Sequence, residues 1–179
     1  MLSDIRSVHF IGICGTAMAS AAVAMLEKGY HVTGSDQNVY PPMSTFLAER
    51  GIPAMSGYSE DNLKHKPDLV VIGNAISRGN PEAEAVLEQK LRYCALPELL
   101  KEFFIRGKRS LVVTGTHGKT TTTSLLTWVF EHNGLNPSYL IGGIPTNLGQ
   151  GARFTDSEWF IIEGDEYDTA FFDKRSKFV

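Results

Sequence analysis

Two glycines, a lysine and a run of threonines stand in "VVTGTHGKTTTTSLL", residues 112–126, between an apolar stretch and a return to leucines. That order of residue types suits a polyphosphate. A strand that turns straight into a helix through glycines aims backbone N–H groups at one point, and the first-turn donors have no partner inside the helix. The helix dipole adds partial positive charge there. Gly115 and Gly118 let the backbone come close where a Cβ would obstruct a phosphate. Lys119 supplies a full charge for the terminal phosphates, and Thr120 offers a hydroxyl to a magnesium ion. The spacing departs from the usual phosphate loop: Val113 stands where the first glycine would fall, and the glycine present is Gly115. His117, inside the loop, is read as shaping it rather than moving protons. A glycine turn with a solvated lysine is the bland alternative.

A phosphate loop needs an acid for its metal. "WFIIEGDEYD" (159–168) supplies Glu163, Asp165, Glu166 and Asp168 after an apolar strand. Carboxylates at strand ends lie at the sheet edge where ligands bind. Glu163, at the end of the strand, is the expected metal-binding acid, with Thr120 beside it. A second glycine corner, "HFIGICGTAMAS" (9–20), also runs strand, loop, helix. It is a loose dinucleotide fingerprint, with Cys14 and Ala17 at two glycine positions. Gly12 and Gly15 can still present N–H groups to a diphosphate, and Asp36 ends the next strand where an acid holds a ribose hydroxyl. This corner alone leaves open a dinucleotide-dependent oxidoreductase, or a tight turn without a ligand.

The elements that must hold these corners alternate. Strands are expected at 7–12, 31–36 and 68–74, with another in "RYCAL" at 92–96. Helices are expected from Thr16 to about Lys28, over 43–51 and 81–91, and in "PELLKEFFIRG" at 97–107. Pro81 suits a first helical turn, and the acids after it suit the dipole. His9 and His31, on or beside strands, are read as structural. From residue 110 the pattern restarts: strand 110–115, helix 119–133, strand 138–143, a glycine-rich loop to about 153, strand 158–164. Trp128 and Phe130 share the long helix, and at least one should be core. Strand–helix alternation means parallel strands with crossovers. The expected fold class is α/β: a Rossmann-like doubly wound parallel sheet over 1–107, then the start of a second, phosphate-loop α/β domain over 108–179. The boundary is expected near 106–109, where a glycine and three cations interrupt the pattern.

The bulk composition is that of an ordinary globular chain. It has 179 residues, 42% hydrophobic and 21% charged, with a net charge of −3. So mild a balance gives no footprint for nucleic acid or an anionic membrane. The cysteines, Cys14 and Cys94, match no metal spacing and no disulfide framework, which fits a reducing cytoplasm. "MLSDIRSVHFIG" is too charged for a signal peptide, and no apolar run reaches membrane length.

Taken together, "GTHGKTTT", "IIEGDEYD", "IGICGTAM", "GSD" and "GNAISRGNPE" resemble the Mur ligase family, ATP-dependent enzymes of peptidoglycan assembly. The resemblance covers the whole chain. "NVYPPMST", "GNAISRGNP" and "YDTAFFDKRSKFV" look most like the branch that attaches the recycled tripeptide L-alanyl-γ-D-glutamyl-meso-diaminopimelate; the branch that adds L-alanine is the alternative. The resemblance implies three domains, of which this chain would hold the first and the front of the second. It implies a reaction in which the muramate carboxylate of UDP-N-acetylmuramate attacks ATP, and the acyl phosphate is then attacked by a peptide amine. It implies that Gly115, Thr116, His117, Gly118, Lys119, Thr120 and Thr121 hold ATP, that Thr120 and Glu163 hold magnesium, and that Lys119 and Glu163 serve catalysis. It implies that Gly12, Gly15, Thr16, Ser35 and Asp36 serve the UDP group, with Asn74, Asn80 and Asn147 toward the sugar. A chain of this extent is expected not to ligate alone. A non-catalytic nucleotide-binding module therefore remains the reading from another class, and the incoming amine and oligomeric state stay open.

Overall fold

The computed structural model describes residues 4–164. These divide into two compact units between Leu99 and Leu100. Each unit carries its own sheet.

The first unit is a five-stranded parallel sheet in the order β3-β2-β1-β4-β5. Its strands are β1 (Ser7–Ile11), β2 (His31–Asp36), β3 (Met55–Ser56), β4 (Leu69–Ile72) and β5 (Tyr93–Ala95). The chain builds outward from β1 to β3, then crosses back to β4. The order therefore reverses between β1 and β4, which is where an open α/β sheet opens a ligand crevice at its carboxyl ends. Every residue of β4 is buried, as a strand covered on both faces requires. Helix α1 (Thr16–Glu27) begins at the expected residue, and Gly29 follows it with φ +91°. Ala19, Ala21 and Ala22 on it are fully buried; side chains this small let a helix lie close to its neighbours. Helix α3 (Pro81–Glu88) contributes Ala83, Ala85 and Val86 to a cluster with Ile11, Val70, Ile72 and Leu63.

The helices are shorter than their periodicity promised. Helix α2 spans Met43–Ala48, and the chain turns through Gly51 at φ +80°. Helix α3 stops before Lys90, whose φ of +54° leaves the helical region. Helix α4 (Leu96–Leu100) runs into a π-helical turn at Lys101–Ile105 rather than continuing as α-helix. The two-residue β3 and a 3₁₀ turn at Glu60–Leu63 are too short to leave a periodic signal.

The second unit is a four-stranded sheet in the order β6-β9-β7-β8. Strands β6 (Arg109–Val113), β7 (Ser138–Leu140) and β9 (Trp159–Glu163) are parallel; β8 (Ala152–Arg153) is antiparallel to β7. Helix α5 (Lys119–His132) follows β6. Tyr139, Ile141 and Ile161 form the core, with Leu111, Leu126, Phe130 and Leu148 against them. Phe130 is thus the core aromatic of α5; Trp128 is exposed and stacks on His132 at 5.2 Å. The register sets Val113 beside Glu163, so strand β6 enters its loop next to the carboxylate that ends β9.

Candidate functional site

The corner after β6 is built by two left-handed glycines. Gly115 has φ +141°, and Gly118, at φ +76°, caps α5. No heavy atom outside the glycine's chain neighbours lies within 4 Å of where a Gly118 Cβ would sit, so backbone conformation rather than crowding demands glycine there. Lys119 Nζ donates to the Gly115 carbonyl at 2.7 Å, which folds the side chain back over the loop. Residues 114–118 are exposed, as a loop that meets a ligand must be.

Glu163 is buried at 8% exposure. Its Oε2 accepts from Thr120 Oγ1 at 3.2 Å, and its Oε1 accepts from the Gly142 N–H at 2.9 Å. The backbone at 142–143 comes in close: a Cβ on Gly142 would stand 3.1 Å from Glu163 Oε2, and one on Gly143 would stand 3.3 Å from Thr120 Cγ2. A hydroxyl and a carboxylate side by side are two hard oxygen donors of the kind magnesium takes, the remaining positions going to phosphate oxygens and water. The pair therefore fits magnesium. Among the described residues no cluster of three or more His, Cys, Asp or Glu forms a further metal site. Asp165, Glu166, Asp168 and the whole of "YDTAFFDKRSKFV" (167–179) lie outside the described residues.

The corner after β1 is pinned to β2. The N–H groups of Gly12 (φ +86°) and Ile13 both donate to the Ser35 carbonyl, at 2.8 and 3.0 Å. The Cys14 N–H donates to Asp36 Oδ2 at 2.9 Å, and Asn38 N–H to Oδ1 at 3.0 Å. Gly34 makes this approach possible: a Cβ there would fall 2.4 Å from Ile13 Cδ1 and 2.8 Å from the Phe10 carbonyl. Gly15 and Thr16, at the start of α1, are exposed. Tyr58 lies near Asp36; burial first, then that carboxylate, raises its phenol above the ordinary range. Burial and Asp36, in that order, likewise raise the Cys14 thiol, which suppresses the reactive thiolate.

The other residues expected here divide. Asn74 is exposed just past β4. Asn80 Oδ1 caps α3, accepting from the Glu82 and Ala83 N–H groups at 3.0 Å each. Asn147 is exposed in the second unit, in the loop between β7 and β8. Ser35 is fully buried, and its hydroxyl donates to Glu82 Oε1 at 2.9 Å. Its side chain thus serves the interior, and its carbonyl serves the corner. His9 is also fully buried, with Nε2 2.6 Å from Glu82 Oε1 and Nδ1 2.7 Å from Thr33 Oγ1. In the sequence Glu82 is one of the acids after Pro81 that suit the dipole of a helix start. The Pro-Glu pair at that start locates it, but only the fold shows it buried. Gly142 and Gly143 were read as strand; the glycine pair was the available sign of close backbone approach.

A doubly wound parallel sheet with a glycine corner, followed by a strand–loop–helix glycine corner with a paired acid, defines an α/β protein with two strand-to-helix corners at its sheet ends. The chain belongs to the Mur ligase family: residues 7–108 match "Mur ligase family, catalytic domain". It is 57% identical over 174 residues to the UDP-N-acetylmuramate–L-alanyl-γ-D-glutamyl-meso-2,6-diaminoheptandioate ligase of Haemophilus influenzae, covering 97% of this chain and 38% of that protein. It is 40% identical over 169 residues to the UDP-N-acetylmuramate–L-alanine ligase of Rhizorhabdus wittichii, covering 94% of this chain and 35% of that protein. The crystal structure of the UDP-N-acetylmuramate:L-alanyl-γ-D-glutamyl-meso-diaminopimelate ligase from Neisseria meningitides superposes with a TM-score of 0.90 at 46% identity, over 97% of this chain and 57% of that one.

Proposed function

We propose that this chain supplies the nucleotide-sugar and ATP corners of an ATP-dependent amide-forming ligase. The enzyme joins the carboxylate of UDP-N-acetylmuramate to the amine of L-alanyl-γ-D-glutamyl-meso-diaminopimelate, in murein recycling. The tripeptide is favoured over L-alanine by 57% against 40% identity to the relatives named for each. The single observation that carries the ATP assignment is the Thr120–Glu163 pair, 3.2 Å apart, beside the Lys119 loop. A bare glycine turn has no need of a buried acid bonded to the second residue of its helix.

The chemistry is positioning and charge neutralisation. The muramate carboxylate attacks the γ-phosphorus, the bond to the β-bridging oxygen breaks, and ADP leaves. The peptide amine then displaces phosphate from the acyl carbon. A carboxylate and a triphosphate repel each other, and Lys119 offsets that repulsion. Thr120 and Glu163 would hold magnesium, which supplies further charge neutralisation at the phosphates when bound. Holding both reactants in place lowers the barrier by roughly 7–11 kcal/mol. The Gly12 and Gly15 N–H groups are already taken, by the Ser35 carbonyl at 2.8 Å and the Gly12 carbonyl at 3.3 Å, so these glycines shape the corner rather than donate to a diphosphate. The first-turn N–H groups of α1 from Thr16 onward and Asp36 would hold the UDP group, with Asn74 toward the sugar. Among the described residues no helix is long and apolar enough to cross a membrane. The cytoplasm, where ATP is made available, is the proposed location.

The test is calorimetry of the chain against UDP-N-acetylmuramate, ATP with magnesium, and NAD. Separate binding of the first two and none of NAD is expected. Binding of NAD at the first corner would return that corner to the oxidoreductase reading.

A further inference from the structure

We propose that Glu82 is a positioning residue for the first corner. Through Ser35 it fixes the stretch of β2 that holds Gly12, Ile13 and Cys14, and so sets the affinity of that corner for its nucleotide-sugar. The affinity part rests on the reading of the corner given above; the geometric part does not.

Glu82 lies in the first turn of α3, and its side chain is fully buried. Oε1 accepts from Ser35 Oγ at 2.9 Å and meets His9 Nε2 at 2.6 Å. Oε2 accepts from the Ser59 N–H at 3.2 Å and from Asn62 Nδ2 at 2.8 Å. These partners fill the roughly four acceptor sites of a carboxylate. They come from β1, β2 and the segment between β3 and β4. The network runs on from His9 through Thr33 Oγ1 to His65 Nε2, 3.0 Å from that hydroxyl, at the surface. A carboxylate placed in a core is costly unless every donor is in position. An apolar side chain would fill the same volume without that demand. What the carboxylate adds is a fixed position for its partners, Ser35 among them.

Ser35 is the link to the corner. Its hydroxyl is held by Glu82, while its carbonyl accepts from both Gly12 and Ile13. On either side, Gly34 admits the Ile13 side chain and Asp36 holds the Cys14 N–H. The donors left for a ligand are the first-turn N–H groups of α1, and their aim follows from the loop that precedes them. Glu82 itself is fully enclosed, so it acts on the corner through its partners.

Two variants separate this role from general stability. Glu82→Gln keeps the volume but turns an amide N–H₂ toward donors. Ser35→Ala removes the hydroxyl and leaves the carbonyl. Titration with UDP-N-acetylmuramate should show affinity falling about tenfold in the first and about threefold in the second, the range of the net contribution of one ordinary hydrogen bond. Affinity for ATP with magnesium should stay within about twofold. Site-resolved amide exchange should show faster exchange at Gly12, Ile13 and Cys14, with Val70 and Val71 in β4 unchanged. A merely structural role would lower protection in β4 as well and leave the affinity of the folded protein untouched. If Glu82→Gln fails to fold, Ser35→Ala decides: wild-type affinity together with wild-type exchange at the corner overturns the proposal. If the unmodified protein itself does not bind UDP-N-acetylmuramate, the nucleotide-sugar reading fails. Exchange then decides the geometric part alone, faster corner exchange supporting it and unchanged exchange overturning it.

Discussion

Thr120, in the first turn of α5, and Glu163, at the end of β9, meet hydroxyl to carboxylate at 3.2 Å. They are brought together because β6 and β9 are adjacent and parallel, with Val113 in register with Glu163. Glu163→Gln tests what the pair is for. The amide oxygen can still accept from the Gly142 N–H, so the loop at 142–143 should hold its place. The charge is gone, however. Affinity for ATP is expected to fall at least about tenfold when magnesium is present and to change less than about twofold with magnesium chelated. Equal losses in both titrations would show that Glu163 serves the loop and not a cation.

Lys119→Ala removes the cation that Gly115 O now receives. The thermal midpoint should move by no more than about 2 °C, because Lys119 is only half-buried and lies outside the core. Affinity for ATP should fall by roughly ten- to a hundredfold, the range of a charge-assisted hydrogen bond. An unchanged nucleotide titration would remove the phosphate assignment from this loop.

Gly118 and Gly34 should respond to alanine for different reasons. At Gly118 the space is open and only φ +76° resists, so Gly118→Ala is expected to destabilise by about 1–2 kcal/mol. At Gly34 the backbone is extended, but the new methyl would collide with Ile13 Cδ1 and the Phe10 carbonyl. Crowding against backbone cannot be relieved by a rotamer change, so Gly34→Ala should lose about 1–3 kcal/mol and weaken the first corner too. Denaturant midpoints with a ligand titration separate the two; a Gly34→Ala protein with native stability would show that the corner relaxes more freely than its packing indicates.

The corners were legible in the sequence because their signals are local. A strand, a glycine and a helix start sit within a dozen or so residues of each other, and Thr16, Lys119 and Glu163 fall at element ends that such signals mark. The roles of Ser35 and Glu82 were not legible. They are 47 positions apart, and nothing in either neighbourhood states that a helix start will be driven beneath β2. The short β8 is lost for a related reason. Two residues carry no period, and its antiparallel pairing with β7 is decided by the glycine-rich loop between them. Helix ends were overextended where a left-handed residue, such as Lys90, broke the pattern without being glycine.

Asp36→Asn should separate the corners. The remaining carbonyl oxygen can keep one of the two backbone N–H contacts made by Asp36, to Cys14 and Asn38, and the amide N–H₂ repels the other. UDP-N-acetylmuramate affinity is expected to fall about tenfold, with ATP affinity within about twofold. A parallel loss of both would mean that the corners do not bind independently.

The thiols give a reading of the same corner that needs no substitution. Burial pushes the Cys94 thiol up to about 12, so it should resist alkylation through the neutral range. A thiol raised in the folded state keeps its proton where the unfolded chain has lost one. Its contribution to stability is present below the unfolded value of 9.0 and is lost as pH rises from there toward 12. Cys94→Ala should therefore flatten the alkaline limb of the stability profile. Both thiols are partly exposed; Cys14 is raised too, by burial first and Asp36 second, and its own N–H is part of the loop. Iodoacetamide should label Cys14 before Cys94, at a rate that climbs with pH. A nucleotide-sugar seated at this corner would cover the Cys14 thiol, so UDP-N-acetylmuramate should slow that labelling and ATP with magnesium should not. Mass spectrometry of the labelled peptides reads both rates at once; protection by ATP, or by neither ligand, would place the nucleotide-sugar somewhere other than this corner.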